Sequence, residues 1–171
     1  EALRHEVQAA LLKLEQTSGK QLGDAANPLL VSVRSGAAVS MPGMMETILN
    51  LGLNDETVEG LAAASGNPRF AYDSYRRFLQ MYADVVLGVN IHRFEQLLAT
   101  KRLTTGVNTD AELSADALRV LVKEYQQLVR AATGAEFPMD PHVQLWGAIE
   151  AVWKSWTLKK AIDYRKVNGI S

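Results

Sequence analysis

The segment Leu29-Leu30-Val31-Ser32-Val33-Arg34-Ser35-Gly36-Ala37-Ala38-Val39-Ser40-Met41-Pro42-Gly43-Met44-Met45-Glu46-Thr47 decides how this chain reads. Residues 29–33 are mostly apolar and partly β-branched, and Asn27-Pro28 and Ser35-Gly36 bound them. They read as a short buried strand, the only convincing one in the chain. Such a strand delivers Arg34 to its tip, followed by a loop of small, hydroxylic and glycine residues. Bare glycine N–H groups approach phosphate oxygens closely, and an arginine fork adds charge-assisted bonds. The residues leave two readings open. One is a phosphate or nucleotide site. The other is a strand end in which Arg34 pairs with a core carboxylate and methionines pack the loop. The loop matches neither the P-loop nor the dinucleotide fingerprint.

Around this segment the pattern is helical. Leu3, Val7, Ala10, Leu11 and Leu14 share one face of an opening helix that stops at Gly19. Residues 35–54 read as neither helix nor strand, because Gly36, Pro42, Gly43 and Gly52 interrupt them. Asp55 to Ala64 is a short helix ended by Gly66. Asn67-Pro68 is a cap followed by proline at the first helical position, and Phe78, Tyr82, Val85, Val86 and Val89 form the next stripe. Gly88 separates it from a helix over 91–98. Lys101 to Asp110 reads as a polar surface loop. Ser114 caps a helix with the stripe Leu118, Leu121, Val122, Tyr125, Leu128 and Val129, ended by Gly134. Asp140-Pro141 opens the last strong stripe of Leu145, Ile149, Val152, Trp153 and Trp156. A lone strand needs hydrogen-bonding partners, so weak strands are expected elsewhere or the chain is a piece of something larger. The absence of a starting methionine fits an excised piece.

The chain has 171 residues, 47% of them hydrophobic and 22% charged, with a formal net charge of −1. This is ordinary globular composition, and the near-neutral balance argues against nucleic-acid binding driven by bulk charge. There are no cysteines, which excludes disulfides, thiolate metal sites and a cysteine nucleophile. No apolar run approaches the ~20 residues that cross a bilayer, so a soluble cytoplasmic protein without membrane contact is expected. His5, His92 and His142 lack metal-ligand spacing. Trp146, Trp153 and Trp156 read as core residues, Met41, Met44, Met45 and Met81 as adaptable packing, and Glu46 and Asp73 as surface carboxylates. Near the C-terminus Lys154, Lys159, Lys160, Arg165 and Lys166 outweigh Glu150 and Asp163, giving a basic end.

A resemblance sharpens this. Val33-Arg34-Ser35-Gly36, Ser40-Met41-Pro42-Gly43-Met44-Met45 and Thr47-Ile48-Leu49-Asn50-Leu51-Gly52-Leu53 look like the N-terminal nucleotide-binding domain of the pyruvate, phosphate dikinase family. So do Ser74-Tyr75-Arg76-Arg77-Phe78, Gln80-Met81-Tyr82, Gln144-Leu145-Trp146-Gly147-Ala148-Ile149 and Tyr164-Arg165-Lys166-Val167-Asn168. The resemblance runs in order over essentially the whole chain. The related phosphoenolpyruvate synthases, with a more acidic loop after their Val-Arg-Ser, are the nearer alternative. A helical protein-interaction module that binds no nucleotide is the alternative from another class.

The resemblance implies a mainly α fold with a small β component (α+β), a fragment of an ATP-grasp-like domain. Residues 1–49 and 141–171 would belong to an ATP-grasp-like subdomain, and 50–140 to a helical subdomain. The family interconverts ATP, phosphate and pyruvate with AMP, pyrophosphate and phosphoenolpyruvate, using Mg²⁺. A phosphohistidine on a separate carrier domain of the same polypeptide relays the phosphoryl group, and the full enzyme is a homodimer through other domains. Arg34 matches the family's ATP-phosphate arginine. Ser35, Gly36, Gly43, Met45 and Thr47 complete the expected ATP-binding set. Arg77, Lys160 and Arg165 are expected to face the carrier domain, Lys160 standing where the family commonly has arginine. The resemblance implies no catalytic residue and no metal ligand within these residues. The family's earlier lysine, and its later acidic and glutamine residues, lie outside the chain, so a fragment inactive alone is expected.

Overall fold

Four helices begin where a side chain satisfies an orphan N–H. Asn67 accepts from Phe70 N at 3.0 Å, Asn90 from His92 N at 3.0 Å, Ser114 from Ala117 N at 3.2 Å and Asp140 from His142 N at 2.8 Å. The computed structural model describes residues 2–39, 41 and 43–170. In chain order its elements are α1 (Ala2–Ser18), β1 (Val31–Arg34), β2 (Thr47–Leu51), α2 (Thr57–Ser65), α3 (Pro68–Val85), α4 (Ile91–Thr105), α5 (Ala115–Thr133), α6 (Pro141–Ser155) and α7 (Lys159–Asn168), with a 3-10 turn at Asp110–Glu112. The mainly α fold with a small β component is the one expected.

The centre is the packing of α3 on α5. Tyr75, Phe78, Leu79 and Tyr82 of α3 meet Leu118, Leu121, Val122, Tyr125 and Val129 of α5, all buried. The rings meet edge-on or tilted. Phe137 lies 5.8 Å from Phe78 and 5.4 Å from Tyr82, and Phe94 lies 4.9 Å from Tyr125, as aromatic quadrupoles favour. Burial pushes the Tyr82 and Tyr125 phenols up to about 12, and the Tyr125 hydroxyl donates to Phe94 O at 3.0 Å.

The strand at 31–34 does have a partner. It pairs antiparallel with β2, with Val31 opposite Leu51, Val33 opposite Ile48 and Arg34 opposite Thr47. β2 carries one extra residue between the first two of these pairs, a bulge in which Asn50 takes a φ of +58°. The expectation of a buried strand is corrected: Val31 and Val33 are half-buried while Ser32 and Arg34 are exposed. A sheet of two strands has one face on the core and one open, so burial alternates. The inner face rests on α3 and α6.

Two further expectations change. Lys101 to Thr105 continues α4 rather than forming a loop, and the helix stops only at Gly106, which takes a φ of +71°. The tryptophans do not fill the core: Trp146 and Trp156 are half-buried and Trp153 is 66% exposed. The stripe of α1 is mostly uncovered as well, since Val7 and Leu11 are only half-buried and no residue of α1 is buried.

One buried amide ties the sheet to the helices. Gln144 of α6 donates to Leu53 O at 3.0 Å and Pro138 O at 2.8 Å, and accepts from Gly52 N at 3.1 Å. Thr57 adds a bond to Gly52 O at 2.8 Å. Gln144→Ala strands these backbone groups, and is expected to lower the unfolding free energy by about 2–4 kcal/mol in urea denaturation. Gly60 marks a close approach, since a Cβ there would lie 1.9 Å from Ala25 O. Gly60→Ala is expected to cost about 1–3 kcal/mol in the same measurement.

Candidate functional site

Arg34 ends β1 opposite Thr47, so the ladder pins both ends of the segment 35–46. The segment therefore leaves and re-enters the sheet at one place. Ser35 turns the chain outward, its Oγ accepting from Ala37 N at 3.2 Å. Further on, Met44 N donates to Met41 O at 3.1 Å, and Gly43 takes a φ of +72°, which a side chain would strain. Met41 is buried, the one anchor of the loop in the interior among the described residues. The Ser40 and Pro42 of the methionine-glycine motif lie outside the described residues.

Two cavities meet at Arg34. The larger, of about 560 Å³, is lined by Arg34, Ser35, Gly36, Ala37 and Met45 on one side and by Leu3, Val33, Ile149, Val152, Trp153 and Trp156 on the other. The smaller, of about 170 Å³, is lined by Arg34, Ser35, Ala37, Val39, Met41, Gly43, Met45 and Thr47. Arg34, Ser35, Ala37 and Met45 border both. The fold thus gathers Arg34, Ser35, Gly36, Gly43, Met45 and Thr47 around two adjoining cavities, Gly36 in the larger and Gly43 and Thr47 in the smaller. Arg34 is exposed, and among the described residues it forms no ion pair. The alternative of an arginine tied to a core carboxylate is not what the structure shows. A guanidinium free at a cleft rim is available to an anion.

The loop's return limb is held by the α6–α7 junction. Glu46 N donates to Ser155 Oγ at 3.2 Å, Ser155 Oγ donates to Val152 O at 2.6 Å, and Lys160 Nζ lies 2.6 Å from Glu46 Oε1. Arg165 stacks 4.0 Å from the Trp156 ring and donates to Trp156 O at 2.7 Å. Lys160 and Arg165 therefore stand beside the cleft. Arg77 does not line it. It sits exposed on α3, with its Nε 2.9 Å from Asp73 Oδ2. Much of the basic C-terminal end is internally paired, Lys154 with Glu150 and Lys159 with Asp163.

Asp73 also holds the buried Arg76, Nη2 to Oδ1 at 2.6 Å. Burial pushes the Asp73 carboxyl up, but the hydrogen bonds and charges of Arg76 and Arg77 outweigh it and leave its pKa below the ordinary carboxylate value. Among the described residues, no group of three or more His, Cys, Asp or Glu is placed to hold a metal ion.

Comparison with known proteins places the chain. A family model described as pyruvate phosphate dikinase, AMP/ATP-binding domain, matches residues 1–171. The chain belongs to this family. It is 58% identical to a pyruvate, phosphate dikinase of Giardia intestinalis over 97% of its length, and 51% identical to that of Clostridium symbiosum over 98%. It is 52% identical over its whole length to a chloroplastic pyruvate, phosphate dikinase 1 of Arabidopsis thaliana. It spans 18–19% of the length of these relatives. Among the described residues no helix is long and apolar enough to cross a membrane.

Sequence reasoning found the loop and its arginine but missed Ser155 and Gln144. Gln144 is a polar position inside an apolar helical stripe, the local signal that marks a buried polar group with a structural partner, whereas Ser155 at the end of α6 carries no such signal.

A lowered carboxylate contributes stability that is present above its unfolded pKa, and is lost as pH falls through its folded pKa. Asp73→Asn is expected to destabilise the chain at neutral pH by about 2–3 kcal/mol. Its stability should then fall less steeply than wild type below about pH 4. Thermal melts from pH 7 to pH 2 check both.

Proposed function

We propose that this chain is the nucleotide-binding part of a pyruvate, phosphate dikinase. In this reading it binds Mg²⁺-ATP at the cleft between the 35–46 loop and α6. The full polypeptide moves a phosphoryl group from ATP, through a phosphohistidine on its carrier domain, to pyruvate, also turning phosphate into pyrophosphate. The observation that carries the reading is Arg34: exposed, without an ionic partner among the described residues, and at the rim shared by both cavities. Its fork would grip polyphosphate oxygens bidentately. Gly36 and Gly43 let backbone N–H groups come close, while Ser35 and Thr47 add hydroxyls. The larger cavity, at about 560 Å³, falls within the ~300–1,000 Å³ of small-molecule sites. Phosphoryl transfer needs positioning and charge neutralisation more than covalent help, and a cation fixed to a strand end supplies both.

Arg77, Lys160 and Arg165 are the cations offered to the carrier domain. The domain division follows the same reading, with 1–49 and 141–171 forming one wall of an ATP-grasp-like cleft and 50–140 the helical subdomain. The rest of the polypeptide brings the opposing wall and the dimer contacts. A cytoplasmic setting is inferred.

The test is a chimera in which this chain replaces the matched region of the Clostridium symbiosum relative. Pyruvate- and phosphate-dependent ATP consumption is measured. Arg34→Ala is expected to lower kcat/KM for ATP by about 10²–10³, and Arg34→Lys to recover only part, since a point charge cannot replace the fork. An active chimera indifferent to Arg34→Ala would overturn the proposal.

A further inference from the structure

The loop that carries Gly43 and Met45 is held on its return limb. The holding groups lie far along the chain. Ser155 ends α6, is 1% exposed, and accepts the Glu46 N–H at 3.2 Å. Its own hydroxyl proton goes to Val152 O at 2.6 Å, and its oxygen also lies 3.7 Å from Met45 Sδ. Lys160, in the first turn of α7, reaches Glu46 Oε1 at 2.6 Å, with side chains 43% and 29% exposed. One residue of the loop is thus gripped twice, by backbone and by side chain. Glu46 lies between Met45, which lines both cavities, and Thr47, which pairs with Arg34. A shift at Glu46 therefore moves the cleft wall and the opposing strand together.

The geometry points to Ser155 and Lys160 as positioning residues of the nucleotide site, acting through Glu46 to fix the loop before ligand arrives. This assignment rests on the nucleotide reading above. It gives Lys160 a role within this chain, besides any contact with the carrier domain. Glu46 suits that role, because a carboxylate turned to Lys160 cannot be presented to the phosphates, where it would repel them. Arg165, stacked on Trp156, braces the turn between Ser155 and Lys160.

Two measurements test this. The first is amide hydrogen exchange of the ligand-free chain over residues 43–48, with α5 as internal reference. Lys160→Met is expected to speed exchange there by about two- to five-fold, as loss of a half-exposed ion pair implies. Ser155→Ala is expected to speed it by about five-fold, for one buried hydrogen bond. Lys160→Arg and the swap Glu46→Lys with Lys160→Glu should restore wild-type exchange, and α5 should not change. The second measurement is steady-state kinetics in the chimera. Ser155→Ala should raise KM for ATP with kcat little changed, Lys160→Met should raise KM by a similar factor, and Lys160→Arg should recover the wild-type KM.

Exchange unaffected by either substitution overturns the clamp. Faster exchange with an unchanged KM, or a fall confined to kcat, overturns the positioning role and leaves nucleotide binding intact. An active chimera indifferent to Arg34→Ala overturns the nucleotide reading and this assignment with it.

Discussion

Arg34 and Thr47 face each other across an antiparallel ladder, and the functional geometry follows from that pairing. Without it, Arg34 would end a solitary strand with unpaired backbone groups, and the loop after it would have no fixed return. With it, the intervening segment is closed at its base at little entropic cost to the rest of the fold. The ladder is short and bulged, and two strands alone are marginal in water. Its rigidity comes from beneath: Ile48 and Leu51 are fully buried, and Gln144 hydrogen-bonds the backbone just after β2 at Gly52 and Leu53. The aromatic packing of α3 on α5 is the foundation on which this small sheet stands.

Much of this was legible in the sequence. Caps at Asn67, Ser114 and Asp140 and stops at Gly66 and Gly134 fall where propensity places them, because capping is a local matter of hydrogen bonds within four residues. β2 was not legible, for a physical reason. The bulge at Asn50 breaks the period of two, so Ile48 and Leu51 are buried at a spacing of three, which imitates one turn of a helix. The exposure of the tryptophans was equally hidden. Trp153 falls at the edge of a correct apolar stripe on α6, and nothing local says that no described element of this chain covers that edge.

The candidate site divides in the same way. Arg34 and its glycine-bearing loop stand out by residue type, because a guanidinium beside bare backbone is a combination that suits phosphate. Ser155 is silent, since a serine at the end of a helix usually answers to its own turn. Its tie to Glu46 spans the chain from the small sheet to the last helices, and only the folded arrangement reveals it.

The carboxylate of Asp73 serves two guanidinium groups of unequal freedom, one oxygen toward the enclosed Arg76 and the other toward the solvent-facing Arg77. Were Arg77 to leave this pair, Asp73 would still be held by Arg76, so no uncompensated charge would remain in the interior.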